Sequence, residues 1–488
     1  MGDHLLVIDE GTTSTRAMLF ARDGDCLGSE QRELAQHYPR PGWVEHDPEE
    51  IWEKSLACAR AMVEAAGGAA RIAAIGITNQ RETVVFWSRR TGRALAPAIV
   101  WQDRRTAEHC EALREAGHEE SVQAKTGLVL DPYFSASKIG WALEHWPQLG
   151  EAGEELCIGT VESWLAYRLT GGLHVTDATN ASRTALMDIG RGEWDEGLLD
   201  LWGVPRSALP EIVDCAGPIG WTEPALLGGP VLIAGIAGDQ QAASIGQACL
   251  SPGDTKATYG TGAFILTATG AEQRRSRHRL LSTIGLQLAG VRSYALEGSV
   301  FTAGSLIKWL RDALGFVASA AETEALARSV ADNGGVHVVP AHSGLGAPHW
   351  RPEVRGAVTG LSLSTGRAHI VRAALEAMAN QTRDLMAAFA ADGAPWQRLR
   401  IDGGMAANDW LAQDLADILE LGVERPAFVE TTALGAAMLA GVGCGMFGSL
   451  EEAAAVRGAV ERFEPAMAPD VREARLAGWR EALETVLR

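Results

Sequence analysis

The stretch HLLVIDEGTTSTRAMLF, residues 4–20, decides how the chain is to be read. His4 to Ile8 is a short, mostly apolar run, as expected of a buried strand. Asp9-Glu10-Gly11-Thr12-Thr13-Ser14-Thr15 is a loop of small and hydroxylic residues, and Arg16 to Phe20 reads as a second strand. Asp23-Gly24 is a turn signal with a third short strand after it. The loop therefore lies between two strands, not between a strand and a helix. The same pattern returns at Thr255 to Leu266, where Gly260-Thr261-Gly262 separates two strand-like runs. This echo predicts two domains with related strand–loop–strand openings. The break at Ser251-Pro252-Gly253-Asp254 puts the boundary near 247–254, giving domains 1–250 and 251–488.

The chain has 488 residues, too many for one ordinary core, which agrees with two domains. Residues 72–78 and 231–237 are further buried-strand candidates, the latter ending at Gly238-Asp239. From Arg367 to Ala391, Ile370, Ala374, Leu375, Met378, Leu385, Met386 and Phe389 recur at helical spacing, with Gly393 as a stop. Trp410, Leu411, Leu415, Ile418 and Leu419 form a second stripe, which Gly422 is expected to end. Strands alternating with helices give an α/β class.

Several classes are disfavoured. A net charge of −19 argues against nucleic acid or anionic membrane as a partner. The seven cysteines form no C-x-x-C pair, so they read as small buried side chains in a reducing compartment. No run of 18 apolar residues suggests a membrane span, and the first residues do not read as a secretory signal, so a cytoplasmic location is expected. Lys54, Lys125, Lys138, Lys256 and Lys308 never follow a glycine, which excludes a P-loop, and no G-x-G-x-x-G opens a helix after a strand.

What remains is a pair of hydroxyl-rich hairpin loops, whose small residues let backbone N–H groups approach phosphate oxygens. Asp9, at a strand end, suits a hydrated Mg²⁺, although the loop alone also reads as a plain tight turn. Asp239 ends a long apolar strand, where α/β proteins place their sites, and a carboxylate there can accept a hydroxyl proton. It equally suits a helix N-cap. Arg81-Glu82 can present donors and acceptors to vicinal hydroxyls, or can form a surface ion pair. Trp101 and Tyr133 set aromatic faces beside polar groups, and Gly403-Gly404 before Asn408 fits either a turn or a close approach to an adenine.

Together these signals resemble the FGGY carbohydrate kinases, and most closely their glycerol-phosphorylating branch. The resemblance rests on PGWVEHDPEEIW (41–52), IAAIGITNQRET (72–83), AIVWQDRRTAE (98–108), TGLVLDPYFSASK (126–138), HVTDATNASRT (174–184) and AGIAGDQQAA (234–243). ALEGSVFTAGSLIKWLRD (295–312), SGLGAPHW (343–350), GAVTGLSLSTGRAHIVRAALE (356–376) and ETTALGAAMLAG (430–441) continue it. It implies two actin-like domains closing over a cleft, and transfer of the γ-phosphate of ATP to glycerol with Mg²⁺. By the same resemblance Thr12, Thr13, Ser14 and Arg16 match the phosphate-proximal loop. Arg81, Glu82, Tyr133, Asp239 and Gln240 match polyol contacts, with Trp101 and Phe264 as walls. Thr261, Gly304, Gly404 and Asn408 match nucleotide contacts, Asp239 matches the general base, and Asp9 with Asp239 lies near the metal. A homo-oligomer, dimer or tetramer, is expected.

Four positions depart from the family pattern. Glu10 replaces a usual glutamine and is expected to add negative charge near the phosphates; Lys308, also at a glutamine position on the nucleotide side, would partly offset it. Ala263 and His342 differ near the pocket. Residues 222–231, where some relatives bind a sugar bisphosphate, carry no Lys or Arg, so inhibition by fructose 1,6-bisphosphate is not expected. The competing readings are a kinase of this family acting on a ketose, a longer polyol or dihydroxyacetone, and a non-catalytic nucleotide-binding protein of actin or chaperone type. Arg81-Glu82, Tyr133 and Phe264 argue for a small acceptor, and Asp239 argues for catalysis.

Overall fold

A computed structural model of the chain describes residues 2–342, 344–351 and 353–488; Ser343, the first residue of the 343–350 stretch, lies outside them. The opening segment is β1 (His4–Glu10), β2 (Ser14–Ala21) and β3 (Cys26–Glu33), followed by α1 (Pro48–Ala65) and β4 (Ile72–Asn79). Helix α2 (Ser135–His145), β5 (Ala216–Trp221), β6 (Leu232–Gly238) and α3 (Asp239–Gly246) complete the parts of the first half that build the site. The sheet runs β3-β2-β1-β4-β6-β5, with β1, β4 and β6 parallel and the flanking strands antiparallel.

The second half begins with β7 (Asp254–Tyr259), β8 (Ala263–Gly270), β9 (Leu281–Leu288), β10 (Val291–Val300) and α4 (Gly304–Asp312). It continues with α5 (Arg367–Ala391), β11 (Arg398–Asp402), α6 (Asp409–Leu419), β12 (Val423–Pro426), α7 (Thr431–Gly443) and β13 (Val460–Phe463). Its sheet order is β9-β10-β8-β7-β11-β12-β13. Apart from the extra edge strand β9, that order and its strand directions repeat those of the first sheet. The sequence echo is thus a repeat of topology. Helix α5 spans the expected residues, whereas α6 stops at Leu419 because Glu420 turns left-handed (φ 54°), two residues before Gly422.

Strand alternation sorts the first sheet into two faces. Leu6, Ile8, Ala17 and Leu19 pack with Ile51, Leu56 and Met62 of α1. Leu5, Val7, Met18 and Phe20 pack instead with Leu434, Ala437 and Leu439 of α7, a helix from the far end of the chain. Helices α3 and α7 cross at backbone contact: a Cβ on Gly435 would stand 1.8 Å from the Ala242 carbonyl oxygen, and one on Gly246 would stand 2.0 Å from that of Thr431. Only glycine allows that approach, which locks the helix carrying Asp239 to the second half of the chain.

Candidate active site

The parallel strands β1, β4 and β6 end at one edge, where Asp9 pairs with Thr78, and Thr78 with Ala237. At strand spacing, Asp9 and the start of α3 are then two strands, about 10 Å, apart. Arg81 follows β4 between them. Its Nε lies 3.2 Å from Asp239 Oδ1, and its Nη1 2.6 Å from Glu297 Oε2, on β10 of the second half. Arg183 ties in from the other side, donating from Nε to Glu82 Oε1 at 2.6 Å and from Nη2 to Glu297 Oε1 at 2.9 Å. Glu82 holds a left-handed backbone (φ 62°). Arg81 and Glu82 therefore do not form a surface ion pair; both are buried members of a five-residue network, with Arg183, Asp239 and Glu297, across the two halves.

The electrostatics follow from burial. Burial disfavours the Glu297 anion, yet Arg183 and Arg81 outweigh it and hold its pKa at about 2. At Asp239, burial wins over Arg81 and Lys256 and raises the carboxyl above the ordinary aspartate range. Its side chain remains 34% exposed, and Oδ1 accepts from the Gln240 N–H at 2.6 Å. Asp239 begins α3 as its first residue, after Gly238 at the cap position.

Trp101 meets Tyr133 and Phe264 edge-on, at 5.6 and 6.3 Å between ring centres, so first-half and second-half aromatics form one wall. Trp101 also donates from Nε1 to Thr12 Oγ1 at 2.9 Å, joining that wall to the first hairpin loop. Tyr133 stands on a loop whose carbonyls at Pro132, Tyr133 and Phe134 all accept from the buried Lys138 on α2. Burial lowers the Lys138 ammonium to about 8.

In the first hairpin loop, the Gly11 N–H donates to the Ser14 carbonyl, and Thr13 is exposed. Arg16 bridges Asp9 Oδ2 (2.6 Å) and Glu430 Oε2 (2.7 Å). Burial raises the Asp9 carboxyl despite Arg16. Glu10 does not face this loop. It follows Leu6 and Ile8 onto the α1 face, where Ser55 Oγ donates to its Oε2 at 2.5 Å and Oε1 has no partner. Burial pushes its pKa to about 8, only partly offset by the Ser55 and Thr15 hydroxyls. The expected extra charge near the phosphates is therefore turned into the interior, because adjacent strand residues point to opposite faces.

The second loop mirrors the first. The Gly260 N–H donates to Gly262 O, Ala303 and Ser305 donate to Thr261 O, and Gly304 donates to Gly260 O. A Cβ on Gly304 would stand 2.5 Å from that Gly260 oxygen, so α4 starts pressed against the loop. Lys308 is exposed on α4. Gly404 is exposed with open space around it, while Asn408 caps α6 through Leu411 N and donates to Thr323 Oγ1.

The sequence reading did not single out Glu297, Arg183, Lys138 or Lys256. Each is a charge within a buried element, an arrangement kept only where partners exist, and that was the available signal. Among the described residues no cluster of three or more His, Cys, Asp or Glu is placed to hold a metal. Asp9 and Asp239 each keep one carboxylate oxygen free of the bonds described above, which fits a hydrated Mg²⁺ brought in by phosphates.

Two sheets of repeated topology, each opening on a strand–loop–strand hairpin, define a two-domain actin-like fold. The chain belongs to the FGGY family of carbohydrate kinases: residues 4–246 match the family's N-terminal domain and residues 255–444 its C-terminal domain. It is 57% identical over 487 residues to a glycerol kinase of Aromatoleum aromaticum, covering 99% of this chain and 98% of that one. A glycerol kinase of Rhodospirillum centenum is 54% identical, with 98% and 97% covered. Among solved structures, Plasmodium falciparum glycerol kinase with ADP superposes with a TM-score of 0.93 at 35% identity, covering 100% of this chain and 99% of that one. Xylulose kinase from Rhodospirillum rubrum reaches 0.88 at 27%, with 99% and 98% covered.

Proposed function

We propose that the chain transfers the γ-phosphate of ATP to a terminal hydroxyl of glycerol, giving sn-glycerol 3-phosphate and ADP, the first step of glycerol breakdown. The observation that carries this is the Asp239 carboxylate at the end of β6, beside an Arg81 that also lies near Tyr133. The 54–57% identity to glycerol kinases supports it. Trp101 and Phe264, which touch edge-on, form a wall on one side of glycerol and do not sandwich it, and its hydroxyls lie on Arg81, Glu82, Tyr133 and Gln240. Asp239 takes the hydroxyl proton as that oxygen bonds to the γ-phosphorus and the bond to the bridging oxygen of ADP breaks. A carboxyl raised by burial accepts that proton with more driving force than an ordinary aspartate. Thr12, Thr13, Ser14 and Arg16 face the phosphates; Thr261, Gly304, Lys308, Gly404 and Asn408 hold the nucleotide. Mg²⁺, held through water by Asp9 and Asp239, would offset phosphate charge. Closure of the halves, 1–250 and 251–488, keeps out water, which would otherwise compete as acceptor.

No helix among the described residues is long and apolar enough to cross a membrane. We place the protein in the cytoplasm as a homo-oligomer, dimer or tetramer. Release of ADP measured across glycerol, dihydroxyacetone, erythritol and xylulose tests the assignment. Glycerol should give the highest kcat/KM; equal or better turnover of xylulose would overturn it.

A further inference from the structure

We infer that Lys256 is a positioning residue that fixes the Gln240 side-chain amide, so that the amide offers its NH₂ group, and not its carbonyl, to the acceptor. Lys256 sits on β7, the first strand of the second half, and is fully buried. Its ammonium donates to Gln240 Oε1 and, at 2.7 Å, to Thr258 Oγ1. An ammonium has donors and no acceptor. A flipped amide would set NH₂ against NH₃⁺, two donors facing each other, so the carbonyl end must point at Lys256. The assignment thus follows from chemistry and not from telling oxygen from nitrogen. Gln240 Nε2 is not one of the orphaned buried atoms, and no described residue accepts from it, so it is left to donate outward. Gln240 directly follows Asp239. A hydroxyl reaching this corner would meet a donor at Gln240 beside the acceptor at Asp239, which suits two neighbouring hydroxyls, one held by its oxygen and one giving up its proton.

The simpler role for Lys256 is charge balance. Asp402, Asp239 and Glu297 all favour its charged form, against burial, which lowers its pKa. A balancing charge would act on stability and on several neighbours together. A positioning residue acts through Gln240 alone, and the two roles part in a double-mutant cycle.

The inference rests on the acceptor site proposed above, and the cycle is run with whichever polyol the wild type turns over best. A wrong acceptor then shows in the wild-type panel, and a wrong role for Lys256 shows in the cycle. Lys256→Met should lower kcat/KM roughly 10- to 100-fold, the loss expected for a hydrogen bond to a charged group. Most of that loss should lie in the acceptor KM, with the ATP KM changed less than about 3-fold. The double variant Lys256→Met/Gln240→Ala should match Gln240→Ala within about 3-fold, since nothing remains to be positioned. Effects that multiply would overturn the inference. Gln240→Glu needs no folding of a Lys256 variant: it keeps an acceptor for the ammonium but lacks the NH₂, so it should be as impaired as Gln240→Ala. A Gln240→Glu enzyme near wild-type activity would also overturn the inference.

Discussion

Glu297→Gln removes the anion that two buried arginines share. Its carboxylate accepts from Arg81 Nη1 at 2.6 Å, Arg81 Nη2 at 3.2 Å and Arg183 Nη2 at 2.9 Å. The amide has one oxygen, and its NH₂ must face a guanidinium donor. The magnitude follows from the titration: a pKa held at about 2, against an ordinary 4.5, corresponds to roughly 3 kcal/mol in favour of the folded state. Because the folded value is the lower one, this stability is fully present above about pH 4.5 and is lost as pH falls through about 2, so the whole effect is felt at pH 7. Breaking a buried pair by removing one partner costs about 3–5 kcal/mol, which agrees. For 488 residues the unfolding entropy is on the order of 1 kcal/mol/K, so Tm should drop by about 3 °C if the chain melts as one unit, and by about 6 °C if the halves melt apart. Calorimetry at pH 7 reads the drop, and kinetics should show a raised acceptor KM as Arg81 loses its anchor. A Tm within about 1 °C of wild type, with unchanged kcat/KM, would refute the reasoning.

Asp239→Asn should lower kcat by about 10³-fold or more while the acceptor KM changes little, read from ADP release at saturating substrates; near-normal turnover would remove Asp239 as the base. Glu10→Gln should stabilise the protein increasingly from about pH 4.5 to about pH 8 and by a constant amount above, because the buried carboxyl has a raised folded pKa and its contribution is lost as pH rises through that value. Melting temperatures at pH 5, 7 and 8.5 check this, and a gap that does not widen with pH would contradict it. Lys138→Met frees the three carbonyls of the Tyr133 loop, so the acceptor KM should rise on the order of 10-fold with a smaller change in kcat. Unaltered acceptor kinetics would show that the loop holds Tyr133 without it.

Much of the site was readable where its logic is local. The two hairpin loops, the apolar run ending at Asp239 and the α5 stripe declare themselves through turn chemistry and periodicity over fewer than about 25 residues. Glu10 was half readable. Period two already puts it on the opposite face from Asp9, but only the packing shows that this face is the α1 interior and not the cleft. The end of α6 was misjudged by two residues, because Glu420 accepts a left-handed backbone that glycine would have taken more cheaply.

The sequence by itself determined the α/β class, the repeated strand–loop–strand openings and the family, because each is written in short-range pattern and in matching stretches. The tertiary structure alone decided which charges meet. Glu297 joins Arg81 and Arg183 across 216 and 114 residues of chain, and Arg16 finds Glu430 at the start of α7. No local rule encodes such partners, since a buried charge is tolerable wherever the folded chain brings an opposite one within about 3 Å, and that proximity is a property of the packed sheets and not of any segment.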